Sequence, residues 1–163
     1  MNIKNGFTLI ELMVILAVIA IIAAIAVPSY QSEIRKLDAS AVQQEMLKLA
    51  DQLERYKSRN FSYHGFDPKY LYDEVNPMSF FNFPLKGTKK YTISLYDSSE
   101  STGKKLLSSD SGLGQKWVII ALSESEKNYS FLLTSTGLRC KNKTKANIGF
   151  TGCGAVNTGM EAW

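Results

Sequence analysis

Few side chains in this sequence could do chemistry, and the most informative one stands where a charge is costly. Glu11 lies in a run from Phe7 to Val27 in which only Thr8 and Glu11 are polar. From Leu12 to Val27 no side chain is polar. A carboxylate within hydrocarbon costs about 2 kcal/mol or more without a partner. Pairing with an ammonium group reduces that cost, so Glu11 implies a cation that will meet it. The other candidates lie near the end of the chain. Cys140 and Cys153 enclose a short loop, and Arg139, Lys141, Lys143 and Lys145 make the same stretch basic.

Catalytic chemistry finds little support. His64 is the single histidine, with no cysteine near it. Its neighbour Asp67 is explained by the Asp67-Pro68 turn. One histidine leaves little room for zinc. Serines are plentiful but lack a nucleophile elbow. There is no phosphate-binding glycine loop and no EF-hand-like acidic run. Cys140 and Cys153 do not form a CxxC redox motif, and nothing beside them indicates a metal pair. The expectation is a non-enzyme without a cofactor. Apolar residues make up 45% of the 163, enough for a core, and a formal charge of +4 is only mildly basic. That balance falls short of a dedicated nucleic-acid binder.

The elements that must position these residues follow from periodicity. A helix over Phe7–Val27 is roughly 30 Å long, about the hydrocarbon thickness of a bilayer. Ala24-Ile25-Ala26 resembles a secretory cleavage site, but the apolar run exceeds the usual signal core and carries a carboxylate. A plain signal anchor fits Lys4 on the short leader, by the positive-inside rule. It has no use for Glu11. Pro28 removes a donor and should kink the helix. Beyond it, Tyr30, Ile34, Leu37 and Ala41 form one apolar stripe. Val42, Met46, Leu49, Leu53 and Tyr56 form a second, slightly shifted. The helix should end near Lys57–Asn60, after about 75 Å.

Asp67-Pro68, Asn76-Pro77 and Phe83-Pro84 mark turns over residues 58–88. The aromatic residues there, from Phe61 to Phe83, could stack bases, but packing is the preferred reading. Strands are predicted over Tyr91–Tyr96, Lys116–Leu122 and Asn128–Thr134. The middle one is apolar enough for a central strand. Asp97–Gln115 reads as a flexible loop, and Glu124–Asn128 as a hairpin turn. One helix followed by an antiparallel meander gives an α+β head. The terminal Trp163 could fold back or anchor a partner.

Gly6-Phe7-Thr8-Leu9-Ile10-Glu11, running into this helix, resembles the class III signal of type IV prepilins and pseudopilins. The resemblance implies cleavage after Gly6 by a membrane aspartyl peptidase and N-methylation of Phe7. It also implies that Glu11 pairs with the terminal amine of a neighbouring subunit. Leu49 to Tyr56, followed by Asn60-Phe61-Ser62-Tyr63, resembles the helix end of PilE-type minor pilins of type IVa systems. The implied architecture is the type IV pilin fold, with a long helix kinked at Pro28 on an antiparallel sheet. Its parts would be a leader at 1–6, a transmembrane and fibre-core half-helix at 7–28, and a periplasmic or surface-exposed head at 29–163.

Export would place the head in an oxidising compartment, so Cys140 and Cys153 are expected to form a disulfide. A loop of that size is worth about 3 kcal/mol in chain entropy. In type IV pilins such a pair bounds a variable surface region, and major pseudopilins of type II secretion usually lack it. The implied function is a minor subunit that joins or primes a type IV pilus, contributing to twitching motility, adhesion or DNA uptake. The alternatives are a major pilin, a secretion pseudopilin or a DNA-binding pilin. The implied partners are other pilins, the assembly platform, the prepilin peptidase and inner-membrane lipid before assembly. The basic stretch could contact DNA phosphates with strong salt dependence. A solvated loop, or a patch for a neighbouring subunit, is the favoured reading.

Overall fold

The computed structural model describes residues 8–99, 105–109 and 112–163. Helix α1 (Leu9–Asn60) is assigned without a break through Pro28 and contains no glycine. Thr8 opens it: its hydroxyl accepts the Glu11 backbone N–H at 3.3 Å, the usual service of an N-cap threonine. Lys57 and Arg59 in the last turn complement the negative end of the helix dipole. The chain then leaves the helix through Phe61, which takes a left-handed φ of 60° while its N–H still donates to the Lys57 carbonyl at 2.7 Å.

The chain divides into two compact units, Met1–Leu37 and Asp38–Trp163, and α1 contributes to both. In the first unit the described residues are helical from Leu9 on, and the large apolar side chains from Leu9 to Val27 are exposed within the chain. This stretch is long and apolar enough to cross a membrane. Tyr30 and Leu37, from the first expected stripe, are also exposed.

The second unit buries the other stripe. Val42, Met46, Leu49 and Leu53 are each 0% exposed. They face a sheet of seven antiparallel strands: β1 (Phe80–Phe83), β2 (Tyr91–Asp97), β3 (Lys105–Leu106), β4 (Trp117–Ser123), β5 (Ser130–Thr134), β6 (Arg139–Asn142) and β7 (Glu161–Ala162). The order is β1-β2-β4-β5-β6-β7, with β3 paired to β2 off that path. Tyr91, Ile93, Leu95, Ile119, Phe131 and Leu133 form the core under the helix. On the opposite face Val118, Ile120 and Leu132 pack with Cys140 and Cys153, flanked by Ile148 and Phe150. Covering on both faces explains why β5 is buried throughout and β4 everywhere except half-buried Leu122, instead of alternating.

The three predicted strands appear as β2, β4 and β5. Four others were not anticipated, and β1, lying between Pro77 and Pro84, arises from the aromatic stretch. Tyr63, Phe66 and Phe81 of that stretch are buried, whereas Phe61, Tyr70 and Phe80 are exposed. Two carboxylates on α1 hold the connection to the sheet. Glu54 accepts hydrogen bonds from the Tyr63 hydroxyl at 2.8 Å and from Trp117 Nε1 at 3.3 Å. Glu45 accepts one from the Tyr72 hydroxyl and pairs with Lys48 at 3.1 Å. Lys90, entering β2, reaches Asp38 at 2.6 Å.

The segment expected as a flexible loop differs in its described parts. Leu107 is 2% exposed and β3 pairs with β2. The Asp97 carboxylate, itself buried, accepts backbone N–H bonds from Ser99 at 2.8 Å and Gly114 at 2.7 Å. Burial alone would raise its pKa, yet the bonds from Ser99 and Gly114 outweigh it and hold the carboxyl below its ordinary value. Gly114 has a φ of 62°, and a Cβ there would meet the Ser62 hydroxyl at 2.4 Å, so this crossing requires glycine.

Candidate functional site

Two sites were expected, and the structure describes them unequally. At the amino-terminal one, Gly6 and Phe7 lie outside the described residues. Glu11 sits in the first turn of α1, exposed, and among the described residues no cation pairs with it.

The carboxy-terminal site is better defined. Cys140 and Cys153 are joined, with Cα atoms 5.9 Å apart. Cys140 belongs to β6, so the first half of the basic stretch is not a loop, contrary to the sequence expectation. Arg139–Asn142 is hydrogen-bonded on one side to β5 and on the other to β7. The two-residue period of a strand turns Cys140 and Asn142 inward, at 2% and 1% exposure, and puts Arg139 and Lys141 on the other side. Their register partners are Leu133 and Phe131, from the face that carries the helix. Lys143 follows the strand, and Lys145 opens a short 3₁₀ turn.

Aromatic rings alternate with these cations. The Arg139 guanidinium lies 5.7 Å from the Trp163 ring centroid. Lys141 and Lys143 lie 4.8 and 5.1 Å from the ring of Tyr129. Ammonium and guanidinium groups at such distances are attracted to the negative ring face. Trp163 folds back onto the head. Its Nε1 donates to the carbonyls of Leu132 at 3.2 Å and Cys140 at 3.0 Å, and its ring meets Phe131 edge-on.

Glu161 on β7 enters this group. It accepts from the Tyr129 hydroxyl at 2.7 Å and pairs with Lys141 at 3.3 Å. Those two hydrogen bonds, Tyr129 first, hold its carboxyl below the ordinary value, and the same bond raises the Tyr129 phenol. Asn142 anchors the stretch from beneath. Its Nδ2 donates to the carbonyls of Cys153 at 2.8 Å and Thr158 at 3.1 Å, while its Oδ1 accepts from the Thr144 N–H at 2.9 Å. Sequence reasoning missed Asn142, Tyr129 and Glu161. The one available signal was the aromatic spacing around a basic run.

One long amino-terminal helix, an antiparallel sheet and a disulfide near the carboxy terminus together define the type IV pilin fold. The prokaryotic N-terminal methylation motif matches residues 1–27. The family described as "type IV minor pilin ComP, DNA uptake sequence receptor" matches residues 28–154, and the chain belongs to that family. It is therefore a minor pilus subunit, a structural rather than a catalytic protein. No curated protein and no solved structure matches the chain.

Proposed function

We propose that this minor pilin is a DNA-binding subunit of a type IV pilus acting in DNA uptake, with Arg139, Lys141, Lys143 and Lys145 as its phosphate contacts. The observation that carries this reading is the alternation of cations with Tyr129 and Trp163 on one side of β6. Side chains two apart on a strand are about 6.7 Å apart. Phosphates of one DNA strand advance about 3.4 Å each along the axis. Successive phosphates also wind around that axis and so stand farther apart than their axial rise, which lets Arg139 and Lys141 meet neighbouring phosphates of one strand. The family's description as a receptor for a DNA uptake sequence supports the same partner, and on that support we prefer it to a merely solvated loop.

The amino-terminal half serves delivery. Cleavage between Gly6 and Phe7 frees an amine that becomes N-methylated and pairs with Glu11 of a neighbouring subunit. Residues 1–6 are then the leader, 7–28 the membrane and fibre-core helix bent at Pro28, and 29–163 the head. The subunit waits in the inner membrane, with its head in the periplasm. The assembly platform then lifts it into contact with other pilins.

The test uses the full processed chain in detergent micelles and duplex DNA, with affinity followed from 50 to 200 mM salt. Each phosphate contact contributes about 0.9 to the slope of log affinity against log salt. Replacing Lys141, Lys143 and Lys145 by glutamine should flatten the slope by up to about three. An unchanged slope would refute this face, and absence of binding at 50 mM salt would refute the DNA reading. Comparing uptake-sequence and scrambled duplexes tests for a sequence receptor. A deletion strain scored for piliation, twitching, DNA uptake and secretion, beside Glu11→Ala scored for incorporation, tests the delivery half.

A further inference from the structure

We propose that Tyr129, Lys141 and Lys143 form an oxyanion site that the chain's own Glu161 occupies in the free protein, and that a DNA phosphate displaces this carboxylate on binding. The inference rests on the DNA reading above and adds a built-in competitor to it.

The geometry is that of an anion already bound. One Glu161 oxygen accepts from the Tyr129 hydroxyl at 2.7 Å, and the other meets Lys141 Nζ at 3.3 Å. The Tyr129 ring carries both Lys141 and Lys143 at about the same distance, 4.8 and 5.1 Å. A carboxylate and a phosphodiester present the same single charge on two oxygens. Two ammonium groups and a phenol donor therefore suit either.

Displacement needs no unfolding. The Glu161 side chain is 51% exposed, so it can swing into solvent. The backbone around it stays, because β7 pairs with β6 through Lys141↔Glu161 and Cys140↔Ala162, and Trp163 is fixed by two hydrogen bonds. An exposed ion pair of this kind is worth little by itself, so losing it opposes DNA binding only weakly.

The experiment compares wild type, Glu161→Gln and Glu126→Gln as full processed chains in detergent micelles. Glu126 lines the neighbouring surface with Lys143 and Lys145 and serves as the control for general charge. On uptake-sequence and scrambled duplexes alike, Glu161→Gln should bind about threefold or more tighter at 50 mM salt, with a slope steeper by about one. Glu126→Gln should not match it. Unchanged or weaker binding by Glu161→Gln, or an equal gain from Glu126→Gln, overturns the site while leaving the DNA reading intact. A parallel titration with inorganic phosphate follows the Tyr129 ring resonances by NMR. A phosphate shift that is larger in Glu161→Gln than in wild type supports the site even if neither protein binds DNA, in which case the DNA reading alone fails. No phosphate shift in either protein overturns the site.

Discussion

Removing the Glu54 carboxylate should loosen the joint between α1, the segment that follows it and β4. The Glu54 oxygen serves two donors, the Tyr63 hydroxyl and Trp117 Nε1. Both donor residues are 3% exposed. In Glu54→Ala each donor loses its partner, and a stranded buried donor costs about 1–3 kcal/mol. Glu54 itself is exposed, so water can approach from its side and the lower part of that range applies. The sum is about 2–3 kcal/mol. Glu54→Gln retains an acceptor oxygen and loses only the charge assistance, a cost of about 1 kcal/mol. The assay is thermal unfolding of the full chain followed by tryptophan fluorescence, since Trp117 reports the site directly. For a chain of this size about 2–4 °C accompany each kcal/mol, so the alanine variant should melt about 4–12 °C lower and the glutamine variant about 2–4 °C lower. The reasoning fails if Glu54→Ala melts with the wild type, or if both variants lose equally.

Three further outcomes follow from the same structure. Burial, and then the hydrogen bond to Glu54, push the Tyr63 phenol up to about 12; burial and the nearby Asp38 charge do the same for Tyr91. Phenols raised in the folded state favour folding fully below their unfolded value near 10, so stability should fall as pH rises from about 10 to 12; denaturant midpoints that stay flat over that window would contradict it. Asn142→Ala strands two carbonyls and an N–H around the disulfide loop and should destabilise the head by about 2–4 kcal/mol, measured by urea unfolding. Replacing both Cys140 and Cys153 by serine should remove about 3 kcal/mol of chain-entropy stabilisation, read from the same unfolding curves against the oxidised wild type.

The parts of the fold that could be read in advance were those with strong local patterns. Val42, Met46, Leu49 and Leu53 repeat at helical spacing, and Trp117 to Leu122 is apolar enough to announce a central strand. Strand β6 was hidden because Arg139-Cys140-Lys141-Asn142 offers one apolar residue in four. What buries its inward side is a disulfide and a hydrogen-bonded asparagine, not a hydrophobic alternation. Strand β1 was masked by its prolines. Glu45 and Glu54 looked like solvent-facing helix charges, because the tyrosines that seek them return from 27 and 9 residues away. The cation row was visible as composition, but its order along a strand was not. Glu161 was invisible as part of a site, since only the antiparallel return of the tail places it beside Lys141.

The pinning of β6 between two neighbouring strands has a thermodynamic consequence. A flexible basic loop must be ordered when it binds, and each immobilised long side chain costs about 0.5–1.5 kcal/mol. Here the backbone of Arg139 and Lys141 is already fixed by β5 and β7, and their charged ends already rest on Trp163 and Tyr129. On the DNA reading proposed above, an arriving polyanion would meet a preorganised surface and have almost no protein left to fold. Its capture should therefore be a rapid, salt-controlled encounter with a small heat-capacity change, unlike the coupled folding that basic tails undergo.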